Sequence, residues 1–222
     1  IASMLNMLEE MKRDPSIRKV MDNPYALNPA TVATGRDGPD QTDARFDPDF
    51  DQWTSPFLMA AVNTRVVRRT HALLGLPWGE DFQYGEAVLN RSRGQATAAA
   101  VGAGAGMLAL GFGPARKIAQ RLLPSPGDGP SRRQRENGYW EVFFHGVHPE
   151  DRSLDLRLKV TGDMDPGYGS TAKMLGEAAV CLAQDEPLTG GGFWTPASAM
   201  GEPLQQRLAS NAGLDFEFVE TD

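Results

Sequence analysis

The sequence predicts an α+β protein, a mostly antiparallel sheet flanked by helices. Three observations lead there. Periodicity and punctuation give the order helix, helix, strand, helix, two strands, helix, helix, strand. That order lacks the repeating strand–helix–strand run of a doubly wound parallel sheet. Residues 139–147 and 154–161 are two strongly β-prone runs joined by a connection containing Pro149, the pattern of an antiparallel hairpin. The 222 residues include 24 glycines and 16 prolines, so ordered but loop-rich stretches separate the elements.

Residues 1–21 read as an amphipathic helix, with Met4, Leu5, Leu8 and Met11 at helical spacing and Asn23-Pro24 as its stop. Residues 23–52 form a long loop with aromatic anchors at Tyr25, Phe46 and Phe50, and loops of this length are usually functional or wrap a surface. Residues 53–74 read as the next helix, with Ser55 as N-cap, Pro56 in the first turn and Gly75 at its end. Residues 81–90 read as a strand with Phe82, Tyr84, Glu86 and Val88 on one face. Residues 95–115 carry no charge. Gly113-Pro114 interrupts that run, a short basic helix follows over 115–123, and 124–130 must be turns. Residues 169–184 form a helix with Met174, Ala178, Cys181 and Leu182 on its apolar face. Thr195-Pro196 opens another helix running to about Asn211, Gly213 ends it, and 214–220 is the last strand.

The net charge is −7, the wrong sign for a nucleic-acid-binding domain. The charge is unevenly spread: residues 1–60 carry −4, 61–140 carry +6 and 141–222 carry −9. A basic middle between acidic flanks reads either as an anion-facing surface or as charge neutralised within one fold. Cys181 is the single cysteine, which excludes an intrachain disulfide, and three histidines beside it make a structural zinc site a poor fit. The N-terminus shows no signal-peptide pattern, so the expected compartment is cytoplasmic.

Gly104-Ala105-Gly106-Met107-Leu108-Ala109 matches G-x-G-x-x-A, but the alanine-rich residues before it look helical, and a dinucleotide turn needs a strand there. The uncharged run around it has two open readings. One is a close-packed helix, for which Gly102 and Gly106 are suitably spaced. The other is a peripheral lipid contact, because Arg116, Lys117 and Arg121 follow directly. Arg65, Arg68 and Arg69 fall on one helix face, where they could hold a carboxylate or phosphate, or pair with the acidic loop at 37–51. Tyr168 and Lys173 are five residues apart, one more than the tyrosine–lysine pair of short-chain reductases requires. His145 and His148 are expected on opposite strand faces, which argues against a shared metal.

Five segments, in order, carry a resemblance along nearly the whole chain. They are Ile1-Ala2-Ser3-Met4 with Met7-Leu8-Glu9-Glu10; Pro56-Phe57-Leu58-Met59-Ala60 with Asn63-Thr64-Arg65-Val66-Val67-Arg68-Arg69; Leu123-Pro124-Ser125-Pro126-Gly127-Asp128-Gly129-Pro130-Ser131; Asp165-Pro166-Gly167-Tyr168-Gly169-Ser170-Thr171-Ala172-Lys173-Met174-Leu175; and Gly190-Gly191-Gly192-Phe193-Trp194-Thr195-Pro196-Ala197. Together they resemble the C-terminal half of saccharopine-dehydrogenase-like oxidoreductases, a group that includes trans-acting enoyl reductases of polyketide-lipid synthesis.

The resemblance implies that residues 1–222 form the substrate-binding and dimerisation domain of a two-domain, NAD(P)-dependent reductase. Its Rossmann domain would precede Ile1, which is not an initiator methionine. NAD or NADP would then bind the full-length protein and not this chain alone. An acyl substrate, a carrier protein bearing it, and a second copy of the chain are the expected partners, with peripheral membrane contact as the alternative and no nucleic acid. The polar groups on the resembling segments and the neighbouring strand are the expected substrate contacts: Asn63, Arg65, Arg68, Tyr84, Tyr168, Lys173 and Thr195. No catalytic residue is assigned, and no metal is expected.

Overall fold

The computed structural model describes residues 2–111 and 129–219. They form a mixed α+β structure, with helices and two three-stranded antiparallel sheets. The chain divides into two compact units, Ile1–Gly127 and Asp128–Asp222.

The first unit opens with α1 (Ala2–Arg13) and α2 (Ser16–Asp22). The single helix expected over 1–21 is split at Asp14-Pro15, because proline lacks the N–H that would continue the ladder. A long segment follows, with one 3-10 turn at Ala30–Val32. It leads into β1 (Arg45–Asp47) and β2 (Gln52–Pro56). These strands pair as a hairpin with Phe46 opposite Trp53. Its turn is set by the Asp47 carboxylate, which accepts the N–H of Asp49 at 2.9 Å, and by Asp51 at φ 49°.

The second helix expected at 53–74 therefore starts later. Residues 52–56 are strand, paired with β3 (Ala87–Asn90) through Ser55 opposite Val88, and α3 spans Ala60–Leu73. Cross-strand pairing on both sides of β2 prevails over the local Ser-Pro cap signal. Ser55 accepts instead from the Asn90 side-chain amide at 2.9 Å. Gly75 does end α3, with φ +78°. Only Ala87–Asn90 of the strand expected over 81–90 is extended in the sheet.

The uncharged run forms α4 (Arg93–Gly111), which packs on the β1–β2–β3 sheet and buries Ala96 completely. Gly104 and Gly106 lie inside this helix and not at a strand-to-helix turn. The basic helix expected at 115–123 and most of the turns expected at 124–130 lie outside the described residues.

The second unit holds α5 (Arg132–Glu136), β4 (Trp140–Gly146), β5 (Leu156–Gly162), α6 (Gly169–Gln184), α7 (Pro196–Asn211) and β6 (Leu214–Val219). β4 and β5 form the expected antiparallel hairpin, and β6 adds antiparallel to β5. Period-two alternation turns Val160 and Leu214 into the core, where Trp140, Leu158 and Phe216 pack with Met174 of α6 and Leu208 of α7. A second cluster joins Cys181 to Ala199, Met200 and Leu204. The Trp140 indole donates to the Ser170 hydroxyl at 2.8 Å, tying β4 to the first turn of α6.

Candidate functional site

The first unit contains a helix whose inward face is polar. The buried residues of α3 include Thr64, Arg65, Arg68 and His71, while Val62 is exposed. Such a face is stable only if each polar group finds a partner. For Thr64 and the arginines the long segment between α2 and β1 supplies most of the partners. Arg68 Nε donates to Asp37 Oδ2 at 2.5 Å, and its Nη2 donates to the Tyr84 carbonyl at 2.8 Å. The same guanidinium lies 5.6 Å from the centre of the Tyr25 ring. Arg65 pairs with Asp40, which also accepts from the Thr64 hydroxyl at 3.2 Å. Arg69 donates to the carbonyl of Leu27. The arginine face is thus the one that carries the acidic loop, and it is buried by that loop.

Asp37 links further elements. Its Oδ1 accepts the Tyr84 N–H at 3.0 Å, and its own N–H donates to the Tyr25 hydroxyl at 2.8 Å. Tyr84 in turn donates its hydroxyl to Glu86 Oε1 at 3.0 Å, and the Asn63 amide donates to Glu86 Oε2 at 3.0 Å. Burial, reinforced by the Glu86 carboxylate, pushes the Tyr84 phenol well above its ordinary value. Tyr84 therefore stays protonated at neutral pH and serves as a hydrogen-bond donor. A depression of about 320 Å³ lies beside this network, lined by Asp37, Asp40, Arg45, Arg68, Tyr84 and Glu86 among others.

The structure thus gathers Asn63, Arg65, Arg68 and Tyr84 into one network, through Asp37, Asp40 and Glu86. Those three carboxylates were not among the residues expected from the sequence. The signal for two of them was present in the acidic character of 37–51. Glu86 was visible only as a face-sharing neighbour of Tyr84.

Tyr168, Lys173 and Thr195 belong to the second unit. Tyr168 precedes α6, and its N–H donates to Asp165 Oδ2 at 2.9 Å, one of two helix-start N–H groups that this carboxylate holds. Lys173 forms an ion pair with Asp163 at 2.6 Å. Thr195 is buried at the start of α7, where its N–H donates to Ser198 Oγ at 3.0 Å. Asp155 meets the His145 ring but only the backbone of His148, which lies beyond the end of β4 and whose ring Nδ1 accepts the N–H groups of Glu150 and Asp151. The His145 ring is 3.1 Å from Asp155 Oδ2, and the His148 N–H donates to Oδ1 at 2.8 Å. Among the described residues no group of three or more His, Cys, Asp or Glu is arranged to hold a metal ion. No described helix is long and apolar enough to cross a membrane.

By sequence the chain is similar to mycobacterial proteins that carry reductase names. The chain is 34% identical, over 98% of its length, to a Mycobacterium tuberculosis (strain H37Rv) protein that carries the provisional name trans-acting enoyl reductase. It is 31% identical, over 94% of its length, to proteins named trans-acting enoyl reductase in Mycobacterium ulcerans and Mycobacterium bovis. The match spans 55% of the first relative and 53% of the other two, so the chain covers about half the length of the curated relatives it matches. These likenesses support an enoyl reductase-like family. No protein-family model matches the chain, and no solved structure matches it.

Proposed function

We propose that this chain is the substrate-binding and dimerisation part of an NAD(P)-dependent enoyl reductase that acts in lipid or polyketide metabolism in the cytoplasm. The observation that carries this reading is the 34% identity, along 98% of the chain, to a mycobacterial relative with that provisional name. In the reaction a hydride and a proton add across a carbon–carbon double bond conjugated to a carbonyl. The nicotinamide cofactor would supply the hydride from a Rossmann domain outside these residues. The chain's share is to bind and orient the acyl substrate, free or on a carrier protein.

Tyr84, a protonated phenol, and Glu86 line the depression, and Glu86 also holds the Asn63 amide beside it. Arg68 stiffens the wall beneath them. Tyr168, Lys173 and Thr195 are proposed as polar substrate contacts within the second unit. Equilibrium titration of the full-length protein with NADH and NADPH, followed by turnover of an enoyl thioester, tests the reading. Binding of one nucleotide and consumption of the thioester are expected, with a homodimer in sedimentation. Failure to bind either nucleotide would overturn it.

A second reading is favoured by α4. Val101 is 65% and Leu108 79% exposed on a helix without a charge after Arg93. This reading is a peripheral, non-catalytic lipid scaffold. Flotation with anionic vesicles tests it: Leu108→Glu should abolish recovery with the vesicles, and unchanged recovery rejects the scaffold.

A further inference from the structure

We propose that the outer face of α6 pairs two copies of this chain, helix against helix and antiparallel, across a two-fold axis. The inference rests on the dimer of the proposed reductase and places the contact within it.

The inward side of α6 is packed. Ser170 and Cys181 are buried, Met174 and Ala178 join the two cores of the second unit, and Glu177 reaches Arg207 of α7 at 3.5 Å. The opposite side consists of Ala172, Leu175, Ala179 and Leu182, all exposed, the two leucines by 69% and 53%. None of the exposed residues of α6 carries a charge. A helix face that meets water normally carries charged and polar groups, so this one calls for a cover.

The spacing selects the cover. The four residues recur at steps of three, four and three, the 3.5-residue repeat by which one helix packs along another. They are also symmetric about position 177: Leu175 and Ala179 each lie two residues from it, Ala172 and Leu182 five. A two-fold axis at that level sets Leu175 against the partner's Ala179 and Leu182 against the partner's Ala172, large against small in every layer. A second copy requires that symmetry, and a different partner does not. Glu177 does not obstruct the axis, because Arg207 draws it towards α7.

The charges at the helix ends agree with the antiparallel sense. The first turn of α6 has no acidic residue, while exposed Glu186 follows the last turn and adds to the negative end of its own helix. Antiparallel pairing brings that carboxylate to the positive end of the partner's α6. Lys173, the single basic residue of α6, is paired with Asp163 at 2.6 Å, so the face lacks the row of cations that holds a helix on an anionic bilayer. A helix of this length gives a strip about 24 Å long, so the dimer is expected to be reversible, with a micromolar dissociation constant.

Sedimentation velocity of the full-length protein over a range of concentrations tests the proposal. Leu175→Glu and Leu182→Glu should each weaken the dimer by at least about tenfold. Gln205→Glu, an added charge on the exposed side of α7, should leave it unchanged. Near-UV circular dichroism checks that each variant keeps its fold. Cysteine pairing reads the register: Leu175→Cys mixed with Ala179→Cys should oxidise to a mixed disulfide, with little product from either variant alone, whereas parallel helices would do the reverse. A monomer at about 100 μM, a dimer indifferent to both glutamate substitutions, or disulfides only between like variants would each overturn the proposal. Nucleotide titration of the same preparations separates the two readings. A dimer that Leu175→Glu weakens but that binds no nucleotide rejects the reductase and keeps the interface, and a nucleotide-binding monomer does the opposite.

Discussion

Arg68 and Asp37 form an ion pair 2.5 Å long with side chains only 3% and 8% exposed. It joins a helix to a loop thirty-one residues before it in sequence. A buried pair of this kind adds little over an apolar substitute, yet removal of one partner strands the other charge. Asp37→Asn should therefore destabilise the protein by about 3–5 kcal/mol in urea unfolding. The double change Asp37→Asn with Arg68→Met should recover much of the loss. A double variant no more stable than Asp37→Asn would show that the pair is not the main element of the loop's attachment.

Tyr84 gives an alkaline signature. Its phenol is pushed up by burial and by Glu86, so the folded protein favours the neutral form. The associated stability is complete below the ordinary tyrosine range and is lost as pH rises through that range towards the folded value. Tyr84→Phe should flatten this alkaline decline in stability measured by denaturant titration. The same slope in both proteins would argue against a buried, Glu86-bound phenol.

At the acid end the group to watch is Asp185. Its carboxylate accepts two bonds from the Arg207 guanidinium, at 2.6 and 2.8 Å. Those bonds, with a further one from Cys181, hold its pKa at about 2. A depressed value means that the pair's stabilisation is full above 3.8 and disappears as pH falls through about 2. Carbon-13 titration of Asp185 should show its midpoint rising towards the ordinary aspartate value in Arg207→Gln.

Cys181 is 2% exposed, and burial together with the neighbouring Asp185 carboxylate pushes its thiol up. A buried thiol with little thiolate reacts slowly. Alkylation at pH 8 should be slow in the native protein and fast in denaturant, as read by mass spectrometry. Equal rates would contradict the packing of Cys181 against Ala199 and Met200.

Gly201 interrupts α7 at φ 49° and ψ −130°, and an added Cβ would sit 2.8 Å from Leu188 Cδ1. Gly201→Ala should cost about 1–3 kcal/mol in thermal or chemical unfolding, the scale of a sparsely populated backbone conformation. Gly176→Ala, on open α6 surface, is the control and should be neutral or slightly stabilising.

The amino-acid sequence by itself determined the α+β class, the β4–β5 hairpin, the limits of α6 and the start and end of α7. In each case the signal is local: alternation with period two, an apolar stripe, a cap residue before proline, a glycine after the last turn. It also marked Asn63, Arg65, Arg68 and Tyr84 as polar groups of interest. Only the tertiary structure decided that residues 52–56 are strand, because their partners in β1 and β3 lie elsewhere in the chain. It alone turned the polar side of α3 inward. An arginine face at helical spacing looks the same whether water or a loop covers it. Burial was decided by the placement of Asp37 and Asp40, whose carboxylates answer the guanidiniums across more than twenty residues of chain.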